Sequence, residues 1–249
     1  MNRKAFTLVE LLVVIGIIAL LISILLPTLG AARRQAQTVK CLSTLREYGT
    51  ALAQYAAEFE GWGFQAAVPE PPNYSSPAPW EGLWLQNRWL RNAMLMTPFN
   101  GGNQWWYGSP DLVCPNAEAA FNNAKTFPPD EGQPHMRYSY GINRSTTANA
   151  VGQSMLQLTW PRLVRIRDTS DKIFLIDAMG FQVSKGNPLD PLRESSTLAY
   201  ATFGETPGPY TAYRHREAAN IVFYDGHAAT HQGSEVEMND KFWLLGDVD

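Results

Sequence analysis

Phe6 to Leu26 reads FTLVELLVVIGIIALLISILL, 21 residues with one charge, Glu10. As an α-helix this stretch spans roughly 30 Å, about the hydrocarbon thickness of a bilayer. Arg3 and Lys4 precede it; Pro27, Gly30, Arg33 and Arg34 follow. A secretory signal peptide has a shorter apolar region with a small-residue cleavage site behind it. Here the small residue at a border, Ala5, stands in front. Glu10 separates the stretch from a plain anchor, because a carboxylate in a membrane helix costs roughly 3 kcal/mol and calls for a partner. Were the chain to begin at Phe6, its α-amino group would lie about one helical turn from Glu10. The two charges would then compensate, within a chain or between neighbours.

Downstream the pattern stays helical but becomes amphipathic. Leu42, Leu45, Gly49, Leu52, Ala56 and Phe59 recur at +3/+4 spacing, with Tyr48 and Tyr55 beside the stripe and Arg46, Glu47, Gln54 and Glu58 on other faces. The spacing predicts one helix from Phe6 to about Glu60, kinked at Pro27 and ended by Gly61 and Gly63. Its second half is the spine for a head.

The whole chain has 249 residues, with 20 Lys+Arg against 23 Asp+Glu, a net charge of −3. That balance offers no basic surface for a phosphate backbone, and no nucleic-acid partner is expected. The mean hydropathy of −0.22 averages a greasy first thirty residues with a polar remainder. Residues 61–140 hold 11 of the 17 prolines and six of the eight tryptophans: Trp62, Trp80, Trp84, Trp89, Trp105 and Trp106. Such a segment predicts ordered loops with one short helix around Trp80 to Met96. Core packing is the commoner fate of tryptophan, and a sugar-stacking platform is the alternative. Asp171–Asp177 and Ala219–Tyr224 read as strands, and Asp225-Gly226 as a two-residue hairpin turn placing Tyr224 opposite His227 and Val222 opposite Ala229. The expected fold class is α+β: a long N-terminal helix on a small antiparallel sheet with long Pro/Trp-rich loops.

Arg3-Lys4-Ala5-Phe6-Thr7-Leu8-Val9-Glu10 resembles the prepilin-type processing motif of type IV pilins and type II secretion pseudopilins. The resemblance implies a leader over residues 1–5, cut between Ala5 and Phe6 by a prepilin peptidase that also N-methylates Phe6. It departs from the family at Ala5, where Gly is usual. It further implies a transmembrane and assembly helix over 6–29, an amphipathic continuation over 30–60 and a head over 61–249. Glu10 takes the role of assembly carboxylate. The charges flanking the span leave orientation ambiguous; the resemblance implies a cytoplasmic N-terminus, a single pass through the inner membrane and an extracytoplasmic head. Other pilin-like subunits are the implied partners.

His215 is followed after nine residues by Asp225-Gly226. This H-x9-D-G string, with Cys41-Leu42-Ser43-Thr44-Leu45-Arg46, Val113-Cys114-Pro115 and Ser139-Tyr140-Gly141-Ile142-Asn143, resembles the prepilin-type processing-associated C-terminal domain, a family of unknown molecular function. With the head outside the cytoplasm, Cys41 and Cys114 form a candidate disulfide, two separate buried thiols being the alternative. His227 and His231 share a strand face about 13 Å apart, too far to grip one ion. Asp225 is expected to shape its turn and His215 to bond a loop carbonyl; the alternative gathers Asp177, His215 and Asp225 as a metal or acid/base site. Calcium on Asp177, Asp190 or Glu194 is a further possibility, and no other cofactor is expected. With no phosphate loop, G-x-S-x-G or H-E-x-x-H string, enzymatic function is not expected. The reading is a pilin-like structural subunit, a pseudopilin assembling in a type II secretion or type IV pilus-like system. The alternatives are a membrane-tethered binding protein for a glycan or other ligand and, last, a metal-dependent hydrolase on His215 and Asp225.

Overall fold

The computed structural model describes residues 8–64, 84–96, 108–122, 134–143, 162–180, 182–183, 185 and 210–243. The chain divides into two units, Met1–Val39 and Lys40–Asp249. Helix α1, Leu8–Glu58, belongs to both and continues through Pro27.

In the first unit every residue from Leu8 to Leu29 is exposed. The hydroxyls in this apolar stretch are satisfied locally: Ser23 Oγ donates to Leu20 O at 2.7 Å, and Thr28 Oγ1 to Leu25 O at 2.8 Å. Among the described residues, α1 is the one helix long and apolar enough to cross a membrane, and none of its apolar window is buried.

In the second unit α1 buries one face, through Cys41, Thr44, Leu45, Tyr48, Gly49, Ala51, Leu52, Tyr55 and Ala56. Leu42 and Phe59 sit at the margin, half-buried, while Arg46, Glu47, Gln54 and Glu58 are exposed. The helix stops one residue earlier than its glycine suggests. Glu60 takes the left-handed conformation (φ 53°), and the Gly61 N–H (φ 84°) returns to Ala56 O at 2.7 Å, the long bond of a Schellman cap.

Five strands form the sheet: β1 Tyr140–Asn143, β2 Ile173–Asp177, β3 Gln182–Val183, β4 Ala218–Phe223 and β5 Ala228–Gln232, in the order β3-β1-β2-β4-β5. The β1–β2, β2–β4 and β4–β5 pairs are antiparallel; the two-residue β3 lies parallel to β1 at one edge. One face of the sheet meets α1, where Phe174, Leu175 and Val222 join Leu45, Tyr48 and Leu52. The other face is covered by two short helices, α4 Gly233–Met238 and α5 Asp240–Trp243, whose Val236, Phe242 and Trp243 pack on Ile173, Ile176, Ile221 and Phe223. A register shift between Ile173 and Leu175 turns Phe174 and Leu175 together toward α1. Burial on both faces explains why β2 and β4 read as continuous apolar runs rather than alternating ones.

The β4–β5 turn corrects the expected register. Val222 pairs with Ala228 and Ile221 with Ala229, so Tyr224, Asp225 and Gly226 form a three-residue loop. Gly226 N–H bonds Phe223 O at 2.9 Å, Phe223 N–H bonds His227 O at 2.9 Å, and Gly226 has φ 89°. The left-handed glycine therefore closes the turn as its third residue. Tyr224 leaves the ladder and enters the core, 5.5 Å from the Phe174 ring. The turn also presses on α1: a Cβ on Gly49 would lie 3.0 Å from Gly226 Cα and 2.9 Å from Val222 Cγ2.

The predicted helix around Trp80 to Met96 is, among the described residues, a single 3-10 turn over Trp84–Gln86 and then α2, Arg88–Ala93. Asn87 restarts the helix, its Oδ1 accepting from Leu90 N–H at 3.0 Å. A further short helix, α3, spans Glu118–Asn122.

Candidate functional site

Two regions carry the residues singled out by sequence. The first is the apolar half of α1. Ala5 and Phe6 lie outside the described residues; Glu10 is exposed in the first turns of α1, flanked by exposed Val9 and Leu11.

The second is a buried polar cluster at the end of β2. Cys41, on the buried face of α1, is disulfide-bonded to Cys114, with Cα atoms 5.0 Å apart and 73 residues between them in sequence. The segment bearing Cys114 is stitched to α1 by Thr44 Oγ1 donating to Asp111 O (3.0 Å) and Tyr48 OH to Leu112 O (3.3 Å). Cys114 N–H donates to Ser139 Oγ at 2.8 Å, just before β1. Against this bridge lies His215, its Nε2 3.5 Å from Cys114 Sγ and 3.2 Å from Asp177 Oδ2. Asn116 Nδ2 is 3.4 Å from His215 Nδ1. A proton on Nε2 thus donates to the carboxylate while Nδ1 accepts from the amide.

Asp177 ends β2, fully buried, and is surrounded by donors. Asn220 N–H reaches Oδ2 at 2.8 Å and Arg214 Nη1 reaches Oδ1 at 3.4 Å. Arg214 is equally buried and directs its other donors to carbonyls: Ser139 O at 2.6 Å, Tyr138 O at 2.8 Å and Ala178 O at 2.7 Å. One guanidinium therefore gathers the ends of β1 and β2. Tyr140, opposite Asp177 in the ladder, has its phenol pushed well above the usual range, first by burial and then by the Asp177 charge. Burial also raises Tyr48 and Tyr224, and lowers the buried Arg91.

A strained turn delivers His215 to this cluster. Arg216 and Glu217 are both left-handed (φ 57° and 61°), and His215 N–H bonds Ala218 O at 3.0 Å. Consecutive positive φ angles at non-glycine residues cost on the order of 1 kcal/mol or more each, so the surrounding contacts must hold them.

The structure brings Asp177, His215, Cys41 and Cys114 together and puts Asp225 elsewhere. Asp225 Oδ1 accepts from His227 N–H at 3.0 Å and meets His227 Nδ1 at 2.6 Å, on the exposed side of the hairpin. The His215 side chain lies against Asp177 and the bridge, because the reversed turn points it inward. His227 and His231 flank the Phe223 ring, at 4.3 and 5.7 Å. Among the described residues, the residues of metal-ligating type that come together are Cys41, Cys114 and His215, and the two sulfurs of that group are joined to each other in the bridge. Asp190 and Glu194 lie outside the described residues. Arg214, Asn116 and Asn220 were not singled out by sequence; the one available sign was the position of Arg214 beside His215.

A helix with an exposed apolar half and a buried half laid on an antiparallel sheet is the pilin architecture. Residues 1–26 match the prokaryotic N-terminal methylation motif, and the chain belongs to the pilin-like family. It is similar to the type IV wide pilus major component PilA4 of Thermus thermophilus, with 31% identity over 111 residues, 44% of this chain and 84% of that protein. No solved structure matches it.

Proposed function

We propose that this pilin-like structural subunit is processed in the inner membrane and then assembles, through its apolar helix, into a filament of a type II secretion or type IV pilus-like system. The observation carrying this reading is the unburied run Leu8–Leu29. That much apolar surface needs lipid before assembly and other helices after it. The peptidase removes Met1–Ala5 and methylates Phe6; Glu10 then meets the α-amine of a neighbouring copy. A buried carboxylate–ammonium pair in a low-dielectric helix bundle favours one axial stagger over others. The tethered glycan-binding alternative has less support: Trp84 is buried in the core, and Trp89 packs on Tyr55 at 5.5 Å and Phe64 at 6.4 Å.

The test is the N-terminal peptide mass of the protein from native membranes, together with a Glu10→Ala variant. The expected mass is that of a chain starting at N-methylated Phe6. The variant should be cut normally but yield no crosslinked ladders through the helix. An intact Met1 terminus, or ladders unchanged in Glu10→Ala, would refute the proposal.

A further inference from the structure

The apolar run of α1 ends on two adjacent cations, Arg33 and Arg34. No acidic residue stands between Glu10 and Glu47, so neither arginine has a carboxylate one turn away on its own helix. Both are exposed, and among the described residues neither forms an ion pair. Lys40, the next cation, differs: it pairs with Asp111 at 2.5 Å.

Their position along the helix matches the surface of a bilayer. Leu8–Leu29 makes about 33 Å of helix against about 30 Å of hydrocarbon, and each headgroup layer adds roughly 5–7 Å. The arginine Cα atoms stand about 6–8 Å past that of Leu29 along the axis. Helical side chains lean toward the N-terminus, and Arg34 does so here: its Nη1 lies 3.6 Å from where a Gly30 Cβ would be. The guanidinium is thus level with Gly30, where acyl chains give way to phosphates. On the face of Arg33, the residues four, seven and eleven positions earlier are Leu29, Leu26 and Ile22, all exposed. That stripe suits an acyl chain, and the cation above it suits the phosphate to which the chain is joined.

We propose that Arg33 and Arg34 bind the phosphate of an anionic phospholipid whose chains lie along Ile22, Leu26 and Leu29. This site rests on α1 lying in a membrane. Guanidinium groups present paired N–H donors to phosphate oxygens. A zwitterionic lipid brings its own ammonium to the phosphate, leaving two arginines in excess; an anionic lipid leaves its charge to them. Each arginine at the surface favours the anionic headgroup roughly fivefold. The pair thereby fixes the depth of α1 until the subunit leaves the bilayer.

The experiment reconstitutes the full chain into phosphatidylcholine vesicles carrying a trace of spin-labelled phosphatidylglycerol or spin-labelled phosphatidylcholine. The motionally restricted part of each electron-spin-resonance spectrum gives the relative affinity of the two lipids for the protein. Expected is a preference for phosphatidylglycerol of about threefold, averaged over the whole lipid shell, at about 0.1 M salt and weaker at roughly 1 M. The double variant Arg33→Gln/Arg34→Gln should bring the ratio to about one. Lys40→Gln, at a cation already paired, should leave it unchanged, as should inorganic phosphate exchanged for chloride at equal ionic strength. A wild-type ratio of one overturns the proposal, as does an equal fall in Lys40→Gln, or loss of the preference to inorganic phosphate. A ratio of one accompanied by oligomers that the double variant lacks would give the pair to a neighbouring copy, and also overturns it. An alkaline carbonate wash separates the two readings. A chain released from the vesicles refutes the membrane-spanning reading and this site with it, whereas a retained chain without lipid preference refutes this site alone.

Discussion

Gly49→Ala tests the packing of α1 on the β4–β5 turn, because two known effects on that residue oppose each other. In an exposed helix this change stabilises by about 1 kcal/mol, since glycine is a poor helix former. At Gly49 the new Cβ would sit 2.9 Å from Val222 Cγ2, 3.0 Å from Gly226 Cα and 3.2 Å from Gly226 O. Val222 Cγ2 is a side-chain atom with some freedom; the other two are backbone. They are held by the Gly226-to-Phe223 and Phe223-to-His227 hydrogen bonds, both 2.9 Å, within the antiparallel β4–β5 pair. Relief therefore requires moving helix against hairpin, which places the overpacking cost near the top of its usual range, about 3 kcal/mol. The net expectation is a loss of about 2 kcal/mol. For a head of this size that is a fall in Tm of roughly 4–8 °C. Thermal unfolding of the full chain in micelles, followed by tryptophan fluorescence, measures it. A variant as stable as the wild type, or more so, would mean that helix propensity wins, and that the turn does not bear on the helix.

Two further outcomes follow from the buried charges. Asp177→Asn keeps the shape but leaves Arg214 buried without its carboxylate; a loss of about 3–5 kcal/mol in urea unfolding is expected, and a change below about 1 kcal/mol would show that the carbonyls alone suffice. Tyr48, Tyr140 and Tyr224 are buried, with phenol pKa values raised by that burial. In the unfolded chain they ionise near pH 10 while the folded chain holds them neutral, so their contribution is complete below that pH and is lost as pH rises above it. The expected slope is about 1.4 kcal/mol per pH unit for each tyrosine. Flat stability between about pH 10 and 11.5 would contradict their burial.

The polar cluster shows where linear pattern stops being informative. His215 and Asp225 stand in one motif, yet the fold assigns them to different places: His215 to a buried junction with Asp177 and the Cys41–Cys114 bridge, Asp225 to an exposed turn with His227. The separation follows from two consecutive left-handed residues at Arg216 and Glu217, which reverse the chain without a glycine to announce it. The third residue of the β4–β5 loop was missed for a related reason. Asp225-Gly226 serves equally in a two-residue turn or at the end of a three-residue one, and the choice depends on where Tyr224 can be buried. The short helices α4 and α5 were likewise unforeseen, at six and four residues too brief for a periodic signal.

What sequence alone determined was everything set by local periodicity: the apolar run Phe6–Leu26, the +3/+4 stripe from Leu42 to Phe59, and two strands rich in β-branched and aromatic residues. Each such pattern repeats over several residues and has one low-energy solution. Only the tertiary structure decided which polar groups meet in the buried cluster, because those contacts join residues from 25 to 101 positions apart. Their energies arise from shared desolvation at the junction of α1, β1 and β2, and no short window of sequence contains that.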